Sequence, residues 1–187
     1  MKRLLSCIAL LASPAAAQDF SDGSEAKSWN LYAEAPATFE AKVVDVLCEI
    51  AGDCTETCGN GDRQLGLLRS TDNVLVLPNK NAQPAFSGAA VDLAPFCNQT
   101  VEVDGLLIED PDLNARNIYL VQRVQTADGD WVKADQFTKV WDKDHPEATG
   151  KGPWFRRDPR VNAAIEADGY LGLGKEADDA FIAEYFQ

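Results

Sequence analysis

Four of the five cysteines, Cys48, Cys54, Cys58 and Cys97, constrain this chain most, because its N-terminus has the pattern expected of export to an oxidising compartment. Lys2 and Arg3 form a positive start, and Leu4 to Leu11 is apolar apart from Ser6 and Cys7. Ala15-Ala16-Ala17 then supplies the small residues of a cleavage site. The pattern predicts a signal peptide over residues 1–17, cleaved before Gln18, and a periplasmic protein. Its apolar run is shorter than the roughly 20 residues a helix needs to span a bilayer. No later segment is apolar enough either, so no membrane span is expected. Leu4-Leu5-Ser6-Cys7 has the outline of a lipoprotein box, but almost no apolar sequence precedes Cys7. In an oxidising compartment, an even set of cysteines reads first as two disulfides. Four cysteines allow three pairings, and their spacing does not choose among them.

Charge narrows the partners. The chain has 17 Lys and Arg against 30 Asp and Glu, a formal net charge of −13, and cleavage removes only Lys2 and Arg3. That balance repels nucleic-acid phosphates and anionic lipid. It favours solubility and suits a basic partner or cations. Cleavage also removes Met1, the one methionine, which excludes a methionine-rich copper site. His145 is the one histidine, and no serine sits in a nucleophile-elbow context, so a Ser-His-Asp hydrolase has no support.

Patterning divides the chain into four parts: the signal at 1–17, a loose N-terminal arm at 18–37, a β domain at 38–142, and a linker with helical extension at 143–187. A first strand is predicted over Phe39 to Ile50, with Val44, Val46, Cys48 and Ile50 on one face, so that Cys48 points into the core. A cysteine-bearing loop, Ala51 to Asp62, leads to a second strand at Gln64 to Arg69. A third strand covers Val74 to Leu77 and is stopped by Pro78. Ser87 can cap a short helix over Gly88 to Ala94. Two further strands are expected at Thr100 to Ile108 and Asn117 to Thr126, the second folding back through a turn into Trp131 and Val132. Lys143 to Phe155 is polar and rich in Gly and Pro, as a linker is. Asp158-Pro159 then reads as a cap and first helical residue, with Gly169 just past the helix end. A last helix is expected from Lys175 to Tyr185, its apolar stripe formed by Phe181, Ile182 and Phe186.

Three strands, a short helix and two strands is the order of the OB-fold, a five-stranded barrel. The run Cys54-Thr-Glu-Thr-Cys58-Gly-Asn-Gly-Asp-Arg-Gln-Leu-Gly-Leu-Leu68, with Val101-Glu-Val-Asp-Gly-Leu106, resembles bacterial exported OB-fold-like domains with a cysteine-bearing first loop. The resemblance covers residues 38–133. It implies a mainly β chain: a five-stranded barrel with a short helix between strands three and four, and here a C-terminal helical extension. It also implies an accessory or binding module with no assured activity. Nucleic-acid-binding OB-folds carry basic, aromatic faces, which the second and third strands here lack. The OB-fold haem chaperone of cytochrome maturation has a histidine after the barrel, as His145 is, but the spacing and tyrosine of its motif are missing.

The chemistry-bearing clusters are sparse. Cys54-x-x-x-Cys58, with Cys48 and Cys97, could form a four-thiolate Cu or Zn site or a redox pair, against the simpler reading of two structural disulfides. Glu109-Asp110-Pro-Asp112-Leu-Asn114 has the outline of a calcium loop, but Ala115 and Val121 occupy its glycine and glutamate positions. Asp142, Asp144 and His145 have zinc-ligand chemistry in a solvated linker. Gly169-Tyr-Leu-Gly172-Leu-Gly174 follows no strand and is not a phosphate loop. The tail is unusually aromatic, and aromatic residues with arginine anchor interfaces. Trp154, Phe155, Arg156, Arg157, Tyr170 and Phe181 are therefore the docking candidates. The expected function is a non-enzymatic accessory protein that docks on a periplasmic protein partner through this tail, without a cofactor. The alternatives are cysteine-based metal delivery and thiol–disulfide exchange.

Overall fold

The structure, a computed structural model, describes residues 19–28, 33–80, 83 and 87–185. The expected signal peptide and its cleavage site lie outside the described residues, as does Phe186.

Five strands close on themselves. They are β1 (Glu34–Asp45), β2 (Leu65–Arg69), β3 (Leu75–Asn79), β4 (Thr100–Asp110) and β5 (Ala115–Thr126). The sheet order is β3-β2-β1-β4-β5, with a short β6 (Val132–Lys133) added to β5. Its pairings are antiparallel except one: β3 meets β5 in parallel, Leu77 opposite Ile118 and Asn79 opposite Leu120, and that seam makes the barrel. A short helix, α2 (Ala90–Leu93), lies between β3 and β4 and sends Leu93 fully into the interior. The chain is thus mainly β, an OB-like barrel of the expected class with helices after it.

The core follows from period-two alternation. Ala37, Phe39, Ala41 and Val43 line the inner face of β1, opposite Val101 and Val103 of β4. On β5 the inward residues are Tyr119, Val121 and Val124, and the step of three marks a bulge. Asp104 pairs with Arg123 while Gly105 pairs with Val121, so Gln122 is the extra residue. Gly105 is required there: a Cβ would lie 2.2 Å from the Leu120 carbonyl oxygen. The buried Tyr119 hydroxyl donates to the Ala37 carbonyl at 2.8 Å. Tyr119→Phe should leave that carbonyl short of a partner and cost about 1–2 kcal/mol, read from urea unfolding.

The N-terminal arm is not loose. Phe20 stacks edge-on against Phe39 at 5.7 Å, and its carbonyl accepts the Thr38 N–H. Asp104, wholly buried, accepts from Ser24 Oγ, the Glu25 N–H and Arg123 Nε. Gln122, presented by the bulge, exchanges two hydrogen bonds with the Lys27 backbone at 2.9 and 2.7 Å. Asp104→Ala should release the arm and strand a part-buried guanidinium, costing about 3 kcal/mol, with faster amide exchange at Glu25 as the local sign.

Four expectations need correction. The first strand ends at Asp45, whose carboxylate caps α1 (Val46–Ala51) by accepting the Leu47 and Cys48 N–H groups. Gly52, at φ 71°, closes that helix. The Val46, Cys48, Ile50 face therefore never forms: Cys48 is half-buried on the helix, and Ile50 is 72% exposed. Pro78 does not stop β3, because it sits on the short parallel seam opposite Tyr119, where a missing N–H costs one ladder bond. Ser87 is not the cap of α2: Ala89 (φ 53°) stands at the N-cap position, and a 3-10 turn holding Pro95 follows the helix. The fourth difference is a helix no pattern foretold, α3 (Gln136–Asp144), which buries Trp141. Beyond it, α4 (Pro159–Asp168) and α5 (Lys175–Tyr185) lie where the sequence puts them.

The cysteines lie as two disulfide-bonded pairs. Cys48–Cys54 staples α1 to its exit loop, with Cα atoms 4.3 Å apart. Cys58–Cys97 ties that loop to the approach to β4, with Cα atoms 5.4 Å apart.

Candidate functional site

The tail has two parts. The first is an aromatic stack on α3. Trp141 stacks face to face on His145 with ring centres 4.3 Å apart, and Trp154 lies 5.7 Å from Trp141 and 5.8 Å from Phe137. Phe155 meets Trp154 edge-on. Arg157 places its guanidinium 5.5 Å from the Trp141 ring centre, pairs with Asp142, and donates to the Ala148 and Gly152 carbonyls. Trp154 and Arg157 thus hold the 145–157 segment against α3. Arg156 points to solvent, and Phe155 is half-buried at the margin. The zinc-like trio is dispersed too: Asp142 faces Arg157 and His145 Nδ1 lies 3.0 Å from the Trp141 carbonyl. Among the described residues no group of three or more His, Cys, Asp or Glu is placed to hold a metal ion. Paired as disulfides, the four cysteines offer no thiolate.

The second part is the α4–α5 hairpin. Asp158 starts it by accepting the Arg160 N–H at 2.8 Å, with Pro159 at the first helical position. The Arg160 side chain also hydrogen-bonds Asp158, and this pairing, opposed by burial, holds the carboxyl down to about 2. A depressed carboxyl adds stability above its unfolded value of 3.8 that is lost as pH falls through about 2. The Arg160 amide shift should therefore titrate with a midpoint near 2. A midpoint at the unfolded value would remove this cap from the account.

The loop between the helices is built around one carboxylate. Gly169, Gly172 and Gly174 have φ of 82°, 76° and 92°, which lets the chain turn tightly twice. Asp178, in the first turn of α5 and 1% exposed, accepts the Leu171 and Leu173 N–H groups. Gly169 packs so close to it that a Cβ would meet the Asp178 carboxylate. With its backbone clamped inward, the loop turns its side chains out. Tyr170 is 73% exposed and Leu173 63%, with Leu171 beside them. Along α5, Phe181 and Ile182 are each 38% exposed, and the Tyr185 ring stacks on Phe181 at 4.6 Å. Six apolar side chains open to solvent within one hairpin make it the candidate interaction site. α5 packs against α4, and α4 against the 154–156 turn.

The structure therefore sorts the docking candidates. Tyr170 and Phe181 lie on one exposed hairpin, Arg156 and Phe155 at its root, and Trp154 and Arg157 within the packing that supports it. Sequence reasoning missed Leu171 and Leu173, whose signal is the Tyr-Leu-Gly-Leu-Gly run itself. It missed Asp178 as well, whose signal was an acid just after a glycine-bounded loop. Asp178→Ala should leave two part-buried N–H groups without their acceptor and cost about 1–2 kcal/mol, read as loss of α4–α5 helicity with the barrel intact.

Comparison with known proteins gives no match: no family model fits the chain, and no curated protein or solved structure is significantly similar to it, so the hairpin is judged on its own residues.

Proposed function

We propose that this chain is an exported, non-enzymatic binding protein of the periplasm, whose barrel presents the α4–α5 hairpin to a protein partner. The observation that carries the reading is the clamped loop, in which a buried carboxylate holds the backbone so that Tyr170, Leu171 and Leu173 face solvent. A protein gains nothing for its own stability by ordering apolar side chains in water; a partner's surface does gain from a preformed anchor. Charge defines the partner further. From Pro159 to Tyr185 the hairpin has six acids against two cations, Arg160 and Lys175. The complement is an apolar groove rimmed by Lys and Arg. Export is supported by the N-terminal pattern and by the paired cysteines, which persist in oxidising compartments.

The test uses the full exported chain with Tyr170→Ser and Leu173→Ser together. Both side chains are exposed, so the melting midpoint should stay within the small effect of surface changes, about 0.5 kcal/mol each. Binding to the partner recovered with the wild-type chain should fall at least tenfold, the scale of losing two interface anchors of about 1 kcal/mol or more. Undiminished binding by the double variant would end the proposal.

A further inference from the structure

A second surface lies on the barrel. A cleft of about 460 Å³ opens where the N-terminal arm, the end of β3, the β5 bulge and β6 converge. Its cations are Lys27 from the arm, Lys80 just past β3, Arg123 from β5 and Lys133 from β6. Its carboxylates are three, Glu25, Asp104 and Asp135. In a chain where 30 acids face 17 cations, a concave wall with the opposite balance stands out.

The carboxylates there are already engaged. Asp104 and Glu25 both bind Arg123, at 2.7 and 2.9 Å, and Asp135 pairs with Lys139 at 2.7 Å. Arg123 is further fixed by stacking over Trp131, 4.3 Å from the ring centre. With two carboxylates on one guanidinium, that wall is rigid and carries one net negative charge. The remaining positive charge comes from the lysines. Lys27 and Lys133 form no ion pair among the described residues, and Gln122 fixes the Lys27 backbone at the rim. Lys80 reaches in from the far side and donates to the Val121 carbonyl at 3.0 Å. Burial pulls its pKa below the ordinary lysine value, against the raising effect of Asp92 and Asp135. An ammonium held out of water in this way gains from an incoming anion.

We propose that this cleft binds a small oxyanion, a carboxylate- or phosphate-bearing solute, between Lys27, Lys80 and Lys133. Its volume falls within the roughly 300–1,000 Å³ of small-molecule sites. The acidic surface around it disfavours a polyanion, which would have to lie across repelling charge.

The test is calorimetric titration of the full chain at low salt, where screening is weak, with inorganic phosphate in one arm and citrate in the other. Binding of phosphate alone assigns a phosphate ester, and binding of citrate alone a polycarboxylate; either result, or both, supports the site. Lys27→Gln with Lys133→Gln should weaken binding at least about tenfold. Lys42→Gln with Lys151→Gln, exposed lysines outside the cleft, should change it by less than about twofold. All four side chains are exposed, so the variants should fold. No heat from either probe up to about 1 mM, or equal weakening by the two double variants, would overturn the proposal.

Discussion

Replacing Cys58 and Cys97 together by alanine is expected to cost about 4 kcal/mol, whereas replacing Cys48 and Cys54 together should cost about 2 kcal/mol. The contrast follows from chain entropy. The first bond spans 39 residues and the second only 6, and a longer closed loop removes more freedom from the unfolded chain. Location adds to it. Cys58 is buried among core residues, while Cys48 sits on the exposed helix α1. Cys97 also immediately precedes the Asn98 N–H that bonds the Val43 carbonyl, so its disulfide fixes the entry to β4. Urea unfolding of the two double variants under non-reducing conditions measures both values. Equal losses would mean that the 39-residue loop is not what the Cys58–Cys97 bond restrains.

The second large effect is expected at Gly88. Its φ is 68°, and a Cβ there would lie 2.1 Å from the Leu65 carbonyl oxygen and 2.6 Å from the Leu65 nitrogen. Both atoms are backbone, in a strand whose Leu65 N–H bonds the Ser87 carbonyl, so no side chain can swing aside. Gly88→Ala must push the approach to α2 away from β2 and withdraw Leu93 from the core. The expected cost is about 3 kcal/mol or more, or roughly 10 °C in melting temperature for a chain of this size. Gly172→Ala is the internal control. It shares the positive φ, 76°, but has nothing within 4 Å of the added Cβ. It should cost only the left-handed strain, about 1 kcal/mol. Similar melting temperatures for the two would show that close approach is not why residue 88 is glycine.

Much of the barrel is legible in the sequence because its signals are local. Alternation of apolar residues marks β4, short apolar runs mark β2 and β5, and Asp158-Pro159 and Gly169 bracket α4 by capping chemistry alone. The errors arise where a local signal is overruled or missing. The apolar alternation through Val44, Val46 and Cys48 continues past Asp45, but a carboxylate bonding two N–H groups ahead turns the chain into a helix. Pro78 reads as a stop, yet the parallel seam tolerates it. α3 escapes because Gln136 to Asp144 is short, holds the β-branched Thr138 and Val140, and lacks a side-chain cap at Asp135. The bulge at Gln122 and the pairing of the cysteines depend on contacts between distant residues, which spacing does not encode. The candidate site divides the same way. Its aromatic character is plain from Tyr170 and Phe181, but that Asp178 reaches back to hold Leu171 and Leu173 is a matter of three-dimensional geometry.

Site-specific photo-crosslinking in the compartment where the protein resides decides whether the hairpin is a docking surface. A photoreactive residue is placed in turn at Tyr170, at Ile182 and at Leu113. Leu113 is as exposed as Tyr170, at 78% against 73%, but lies in the turn between β4 and β5. The expected result is one common crosslinked protein from positions 170 and 182, bearing a basic-rimmed apolar groove, and none of it from 113. Crosslinks to that protein from 113 but not from the hairpin, or crosslinks from the hairpin only to a second copy of this chain, would contradict it.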